Sequence, residues 1–98
     1  MAGYIVGTYR ITNPEGYAAY VPAVLPTLMA HGAEVLVADY DSIAMEGDAF
    51  NVTVVIRFPS KEAARTWYNS PEYQTVIHHR IDNTEGCVVL TDQWTPPA

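Results

Sequence analysis

A single cysteine, Cys87, stands among 98 residues, so the chain can form no internal disulfide and no cysteine-rich zinc site. Charge is also scarce, at 16% of residues, and one sign dominates it. Five cations (Arg10, Arg57, Lys61, Arg65, Arg80) face eleven Asp and Glu, a net charge of −6 at pH 7. That field repels phosphate backbones and anionic lipid, and no basic cluster reverses it locally; neither nucleic acid nor membrane is an expected partner. No apolar run approaches the roughly 20 residues of a membrane span. Met1-Ala2-Gly3-Tyr4 lacks the basic and apolar regions of a secretory leader, so a cytoplasmic location is expected. Gly-rich phosphate loops, a G-x-S-x-G nucleophile and an i,i+4 histidine pair are all missing, which argues against nucleotide, serine-hydrolase and metal chemistry. What remains is 49% hydrophobic and 11% aromatic, enough to fold, and the length fits one domain over residues 1–98.

Tyr4 to Ile11 reads as a strand, with Ile5, Gly7, Tyr9 and Ile11 on one side and Tyr4, Val6, Thr8 and Arg10 on the other. Asn13-Pro14 pairs a capping residue with a proline suited to the first helical position. From there Tyr17, Tyr20, Val21, Val24, Leu28 and His31 fall in one arc at about 100° per residue. Pro22 and Pro26 lie opposite, which predicts a helix kinked or broken around Pro22 and stopped at Gly32. Glu34 to Tyr40 reads as a second strand, Glu46-Gly47-Asp48 as a hairpin tip, and Asn51 to Phe58 as a third, strictly alternating strand. After Pro59-Ser60 a helix places Ala63, Ala64, Trp67 and Tyr68 in a buried stripe. Ser70-Pro71-Glu72 restarts it, to an end near Arg80. Gly86 to Asp92 gives the last strand, and a Pro-rich tail from Trp94 to Ala98 leaves the body.

The order β-α-β-β-α-β predicts an α+β fold: a ferredoxin-like sandwich with a four-stranded antiparallel sheet and two helices on one face. The bare face keeps Tyr, Ile and Val residues whichever side of the first strand turns inward. Wetting such a face costs about 25 cal/mol per Å². A second copy packed sheet against sheet about a two-fold axis removes that cost, so a homodimer is expected.

The stretch Phe58-Pro-Ser-Lys-Glu-Ala-Ala-Arg-Thr-Trp-Tyr-Asn-Ser-Pro-Glu-Tyr-Gln74 is long and specific. With Arg80, Tyr17-Ala-Ala-Tyr20, the segment Pro26 to Gly32 and Glu46-Gly47, it resembles the domain of unknown function 1330 family (DUF1330). The similarity runs from Tyr4 to about Asp92. It implies a subunit of the dimeric α+β barrel superfamily, where cofactor-free monooxygenases, small-ring isomerases, haem-handling enzymes and plain ligand binders occur; fold transfers further than function. The chain departs from that family's pattern at Ala38-Asp39-Tyr40 and at Asp48-Ala49-Phe50-Asn51, where basic residues are usual. By that comparison two cationic positions are lost, which favours a neutral or aromatic ligand.

Arg80 shares one face of its predicted helix with Tyr73, Val76 and Ile77, so its guanidinium leaves from a buried stripe and needs a carboxylate or a ligand anion. A pair with Glu46 or Glu34, or a stem snorkelling to solvent, would make it structural. His31, on the arc of Tyr17 and Tyr20, is a candidate base beside two hydroxyl donors, or else a satisfied residue at the core edge. His79 borders an apolar stripe and His78 points away. His79 or His31 could offer one axial ligand to haem, but no attachment motif is present. Glu46 is a general base if desolvated and a turn carboxylate otherwise. Tyr9, Tyr40, Trp67, Tyr68 and Tyr73 read as core or dimer packing, yet seven tyrosines also suit a cavity beside Asn51 and Thr53 for a planar ligand.

The expected function is a cofactor-independent enzyme that moves a proton next to a carbonyl of a small hydrophobic or aromatic compound, as an isomerase, cyclase or lyase does. Arg80 would hold a carboxylate or developing enolate, His31, His79 or Glu46 would move the proton, and Tyr17 and Tyr20 would bind the oxygen. Tyr9, Tyr68 and Asn51 would complete the substrate contacts. Neither metal nor cofactor is expected. Cofactor-free monooxygenation uses the same parts, and the rival class is a non-catalytic dimer that binds a small metabolite.

Overall fold

β-branched and aromatic residues alternate from Gly3 to Ile11 and form β1 in the computed structural model, which describes residues 1–97. Ala98, the end of the expected tail, lies outside the described residues. Pro14 opens α1 (Pro14–Tyr17), and α2 (Tyr20–Ala30) follows. The helix therefore breaks at Ala18-Ala19, ahead of the expected Pro22. Pro22 falls in the first turn of α2, where no N–H has a helical partner, and Pro26 is carried inside α2 on its exposed side. Gly32 turns the chain out with φ 68°. β2 (Glu34–Asp39) and β3 (Val52–Phe58) flank a long loop.

α3 (Lys61–Tyr68) starts on Ser60, whose hydroxyl accepts the Ala63 N–H at 2.9 Å. α4 (Pro71–Val76) starts on Ser70, which accepts the Tyr73 N–H at 3.2 Å. Both serines satisfy helix-end donors that would otherwise be orphaned. α5 (His78–Ile81) carries Arg80, and β4 (Thr84–Asp92) begins two residues before the expected Gly86.

The sheet runs β2-β3-β1-β4 with every neighbour antiparallel, and the helices lie on one face: the ferredoxin-like sandwich. Register sets Ile5 beside Ile56 and Leu90, Gly7 beside Val54 and Val88, and Tyr9 beside Val52 and Gly86 on the helix side. Phe58, Trp67 and Tyr73 close the core above them. The Trp67 indole N–H donates to the Thr27 hydroxyl at 2.9 Å, and Thr27 donates to the Val24 carbonyl at 2.7 Å, which ties α3 to α2. On the bare side, Val37, Val55, Val6 and Val89 form one row across all four strands. Among the described residues no helix is long and apolar enough to cross a membrane.

Candidate functional site

Between α2 and the sheet lies a pocket of about 100 Å³. Gly7 opens its floor: a Cβ there would come within 3.4 Å of the Tyr9 ring and 3.6 Å of Val88. Ile5, Val24, Leu28, Ile56 and Trp67 give it apolar walls. Val21 and Leu25 of α2 and Val35 of β2, all partly in solvent, frame its mouth with Tyr40, because β2 is exposed along its whole length.

Polar atoms enter this apolar space in two clusters. The Tyr9 and Tyr17 hydroxyls meet at 2.7 Å, and Tyr17 extends to the Tyr40 hydroxyl at 3.4 Å. The Tyr20 and Tyr73 hydroxyls meet at 2.8 Å. Arg80 Nη2 donates to the Tyr73 oxygen at 3.4 Å, and its guanidinium carbon stands 6.0 Å from the Tyr20 ring centre. Burial pushes the Tyr9, Tyr17 and Tyr20 hydroxyls above the ordinary phenol range, so they stay protonated and serve as donors rather than bases. For Arg80 burial works to lower the pKa, and the Tyr73 and Tyr20 phenols outweigh it, so the guanidinium is a permanent cation.

No carboxylate of the described residues neutralises that cation. Among the described residues the ion pairs are Arg10–Glu85, His31–Glu72 and Lys61–Asp92. The pairing of Arg80 with Glu46 or Glu34, which would have made it structural, is not formed. The polar neighbours of this half-buried guanidinium are the Tyr73 and Tyr20 phenols, and desolvating it is compensated only as far as its donors find acceptors.

The expected residues divide cleanly. Tyr9, Tyr17, Tyr20, Tyr68 and Arg80 all line the pocket. His31 does not join Tyr17 and Tyr20: at the C-terminal end of α2 its Nε2 sits 3.1 Å from Glu72 of α4, outside the pocket lining, and that bond holds the Glu72 carboxyl below its usual range. His79 is half-buried on α5 and stacks on His78 with ring centres 4.0 Å apart, away from the pocket lining. Glu46 is exposed in the β2–β3 loop beside Gly47. Asn51 is also exposed, and its Nδ2 donates to the Tyr40 carbonyl at 3.1 Å, so it steadies a lining residue from outside. Among the described residues no three His, Cys, Asp or Glu side chains gather as a metal site.

Two further hydroxyls line the pocket, those of Tyr40 and Tyr73, for which the sequence offers packing or a tyrosine-lined cavity without choosing. Tyr73 lies seven positions, two helical turns, before Arg80 on the same face, which was a usable signal. Tyr40 follows the end of β2 and carries none.

The family model described as domain of unknown function (DUF1330) matches residues 2–94. No curated protein matches the sequence. Among solved structures, a protein of unknown function from Rhodopseudomonas palustris superposes with a TM-score of 0.79 at 18% identity, over 97% of this chain and 84% of that one. A dimeric ferredoxin-like protein of unknown function from Thermobifida fusca gives 0.64 at 12% identity, over 95% and 92%. SnoaB, a cofactor-independent oxygenase from Streptomyces nogalater, gives 0.61 at 15% identity, over 99% and 98%. At these identities the likeness is one of fold.

Proposed function

We propose, from the premise that this chain belongs to the DUF1330 family and from its tyrosine-lined pocket, that the protein is an enzyme for a small hydrophobic or aromatic carbonyl compound. Its chemistry is stabilisation of the enolate that forms when a proton leaves the carbon next to the carbonyl. One observation carries the reading: Arg80, a permanent cation, reaches an apolar pocket in which no carboxylate of the described residues answers it. A negative charge growing on a ligand oxygen there meets a fixed positive field at low dielectric, where it is worth far more than in water.

Protonated phenols from Tyr17 and Tyr20 supply further donors. His31, His79 and Glu46 have no share in this reading, because they stand outside the pocket. The proton passes to water at the mouth past Tyr40, and its return at another carbon completes an isomerisation. Cofactor-free oxygenation is the second reading, favoured by the likeness of fold to SnoaB. A stabilised, electron-rich enolate is the species that would react with dioxygen.

The working unit is a homodimer. The valine row from Val37 to Val89 supports this by offering an apolar band that crosses the whole bare face of the sheet. The dimeric description of the Thermobifida fusca protein points the same way.

The test uses 4-nitrophenol, whose ionised form absorbs visible light and mimics an enolate in charge. Binding should lower its apparent pKa by about 1–2 units, the worth of one charge-assisted contact. Arg80→Gln should abolish the shift, and Arg80→Lys should keep part of it. Binding with no shift in ionisation would instead mark a non-catalytic metabolite binder.

A further inference from the structure

Tyr20 and Tyr73 own two hydroxyl hydrogens, and the 2.8 Å bond between them uses one. Arg80 decides which. A guanidinium has no lone pair, so its contact with Tyr73 runs only from Nη2–H to the phenol oxygen. A hydroxyl that accepts from a cation becomes the better donor in its turn. Tyr73 therefore passes its hydrogen to the Tyr20 oxygen, and the Tyr20 hydrogen is left over.

Tyr73 is the one partner of the Tyr20 hydroxyl at full hydrogen-bond geometry among the described residues, with the Arg80 guanidinium next beyond it, and the residue is 8% exposed. Tyr20 also lines the pocket, so the acceptor it lacks is one that a ligand can bring. The lining side chains reinforce the point. Their polar side-chain groups are phenols, the Trp67 indole N–H and one guanidinium, and no carboxylate and no imidazole stands among them.

We infer that Arg80, Tyr73 and Tyr20 form a one-way chain of donors ending on the Tyr20 hydroxyl, which takes the ligand's carbonyl oxygen, so that the site selects ketones and quinones. The inference rests on the functional reading above and adds to it the contacting atom and the ligand class. Arg80 is then a positioning residue that acts through Tyr73, and the charge it contributes reaches the enolate oxygen along the chain. The preference for the ionised form of a phenol has the same origin, since ionisation removes the donor hydrogen and leaves a stronger acceptor.

The experiment compares 2-acetylnaphthalene with 2-ethylnaphthalene, two ligands of one shape of which only the first has an acceptor. Binding is followed by protein fluorescence and the bound ketone by its carbonyl stretch in the infrared. Wild-type protein should prefer the ketone about 3- to 10-fold, the worth of one neutral hydrogen bond, with a lowered stretching frequency. Tyr20→Phe should erase the preference and return the stretch to its value in apolar solvent. Tyr73→Phe, which leaves the Tyr20 hydroxyl in place, should move both readouts part of the way, and Tyr20→Phe with Tyr73→Phe should behave as Tyr20→Phe alone. Should Tyr20→Phe fail to fold, the wild-type preference and stretch together with Tyr73→Phe decide the matter. An unchanged preference and stretch in Tyr20→Phe, or in Tyr73→Phe, overturns the chain but leaves the functional reading standing if Arg80→Gln still abolishes the 4-nitrophenol shift. Failure of wild-type protein to bind either naphthalene overturns both.

Discussion

Burial that keeps Tyr9, Tyr17 and Tyr20 protonated has a cost at high pH. Their folded pKa values lie above the unfolded value of 10.0, so beyond that pH the unfolded chain releases protons that the folded one retains. Stability contributed by these groups is complete below about pH 10 and falls as pH rises further, because the unfolded state then binds fewer protons. Tyr9, Tyr17 and Tyr20 should accordingly ionise only in a cooperative alkaline unfolding, seen as a step in tyrosinate absorbance that coincides with loss of the fold. Ionisation of these three with the fold intact would contradict this.

Thr27 is a second residue-scale test, since its hydroxyl both receives the Trp67 N–H and donates to Val24. Thr27→Val keeps the shape and orphans the indole N–H, at a cost of about 1–3 kcal/mol. A thermal melt should show a drop of roughly 4–8 °C per kcal/mol for a domain of this size. Arg80 was legible in the sequence because its burial could be read from the helical spacing of Tyr73, Val76 and Ile77. His31 was not, because it occupies the C-cap of α2 at φ −108°, outside the helix whose phase placed it on the tyrosine arc. Helical periodicity says nothing about a side chain one residue past the last turn.

At the scale of elements, alternation and capping carried most of the fold. Ser60 and Ser70 each begin a helix where serine before an acidic or proline-bearing first turn predicts one, and β3 alternates as its sequence does. Two features escaped that reading. The α1–α2 break precedes Pro22, since a proline in a first turn breaks nothing. The exposure of β2 depends on how far the helices reach across the sheet, which local sequence does not encode, and it is this reach that leaves the pocket mouth open.

Gly86 tests the strand pairing behind the pocket. It sits at φ 153° opposite Tyr9, and an added Cβ would overlap the Thr8 carbonyl and the Tyr9 backbone. Gly86→Ala should destabilise the fold by about 2–4 kcal/mol, from backbone strain and overpacking together. It should also weaken ligand binding, because β1 carries Tyr9. An alanine variant with unchanged melting and binding would show that β4 can shift without disturbing that strand.

For the molecule as a whole, the bare sheet face and the pocket belong to opposite sides of one sheet. Val55, at the centre of the valine row, takes no part in the pocket lining. Val55→Lys places a charge in the proposed contact, and light scattering should report 10.8 kDa where the wild type gives twice that mass. A wild-type particle of 10.8 kDa would remove the dimer from the reading. The pocket itself is tested most directly by a crystal structure of the complex with 4-nitrophenolate. The phenolate oxygen should lie within hydrogen-bond reach of the Tyr20 hydroxyl, with Arg80 behind it on Tyr73. A probe seated elsewhere, or Arg80 turned away to a carboxylate while the pocket stays empty, would contradict the central claim.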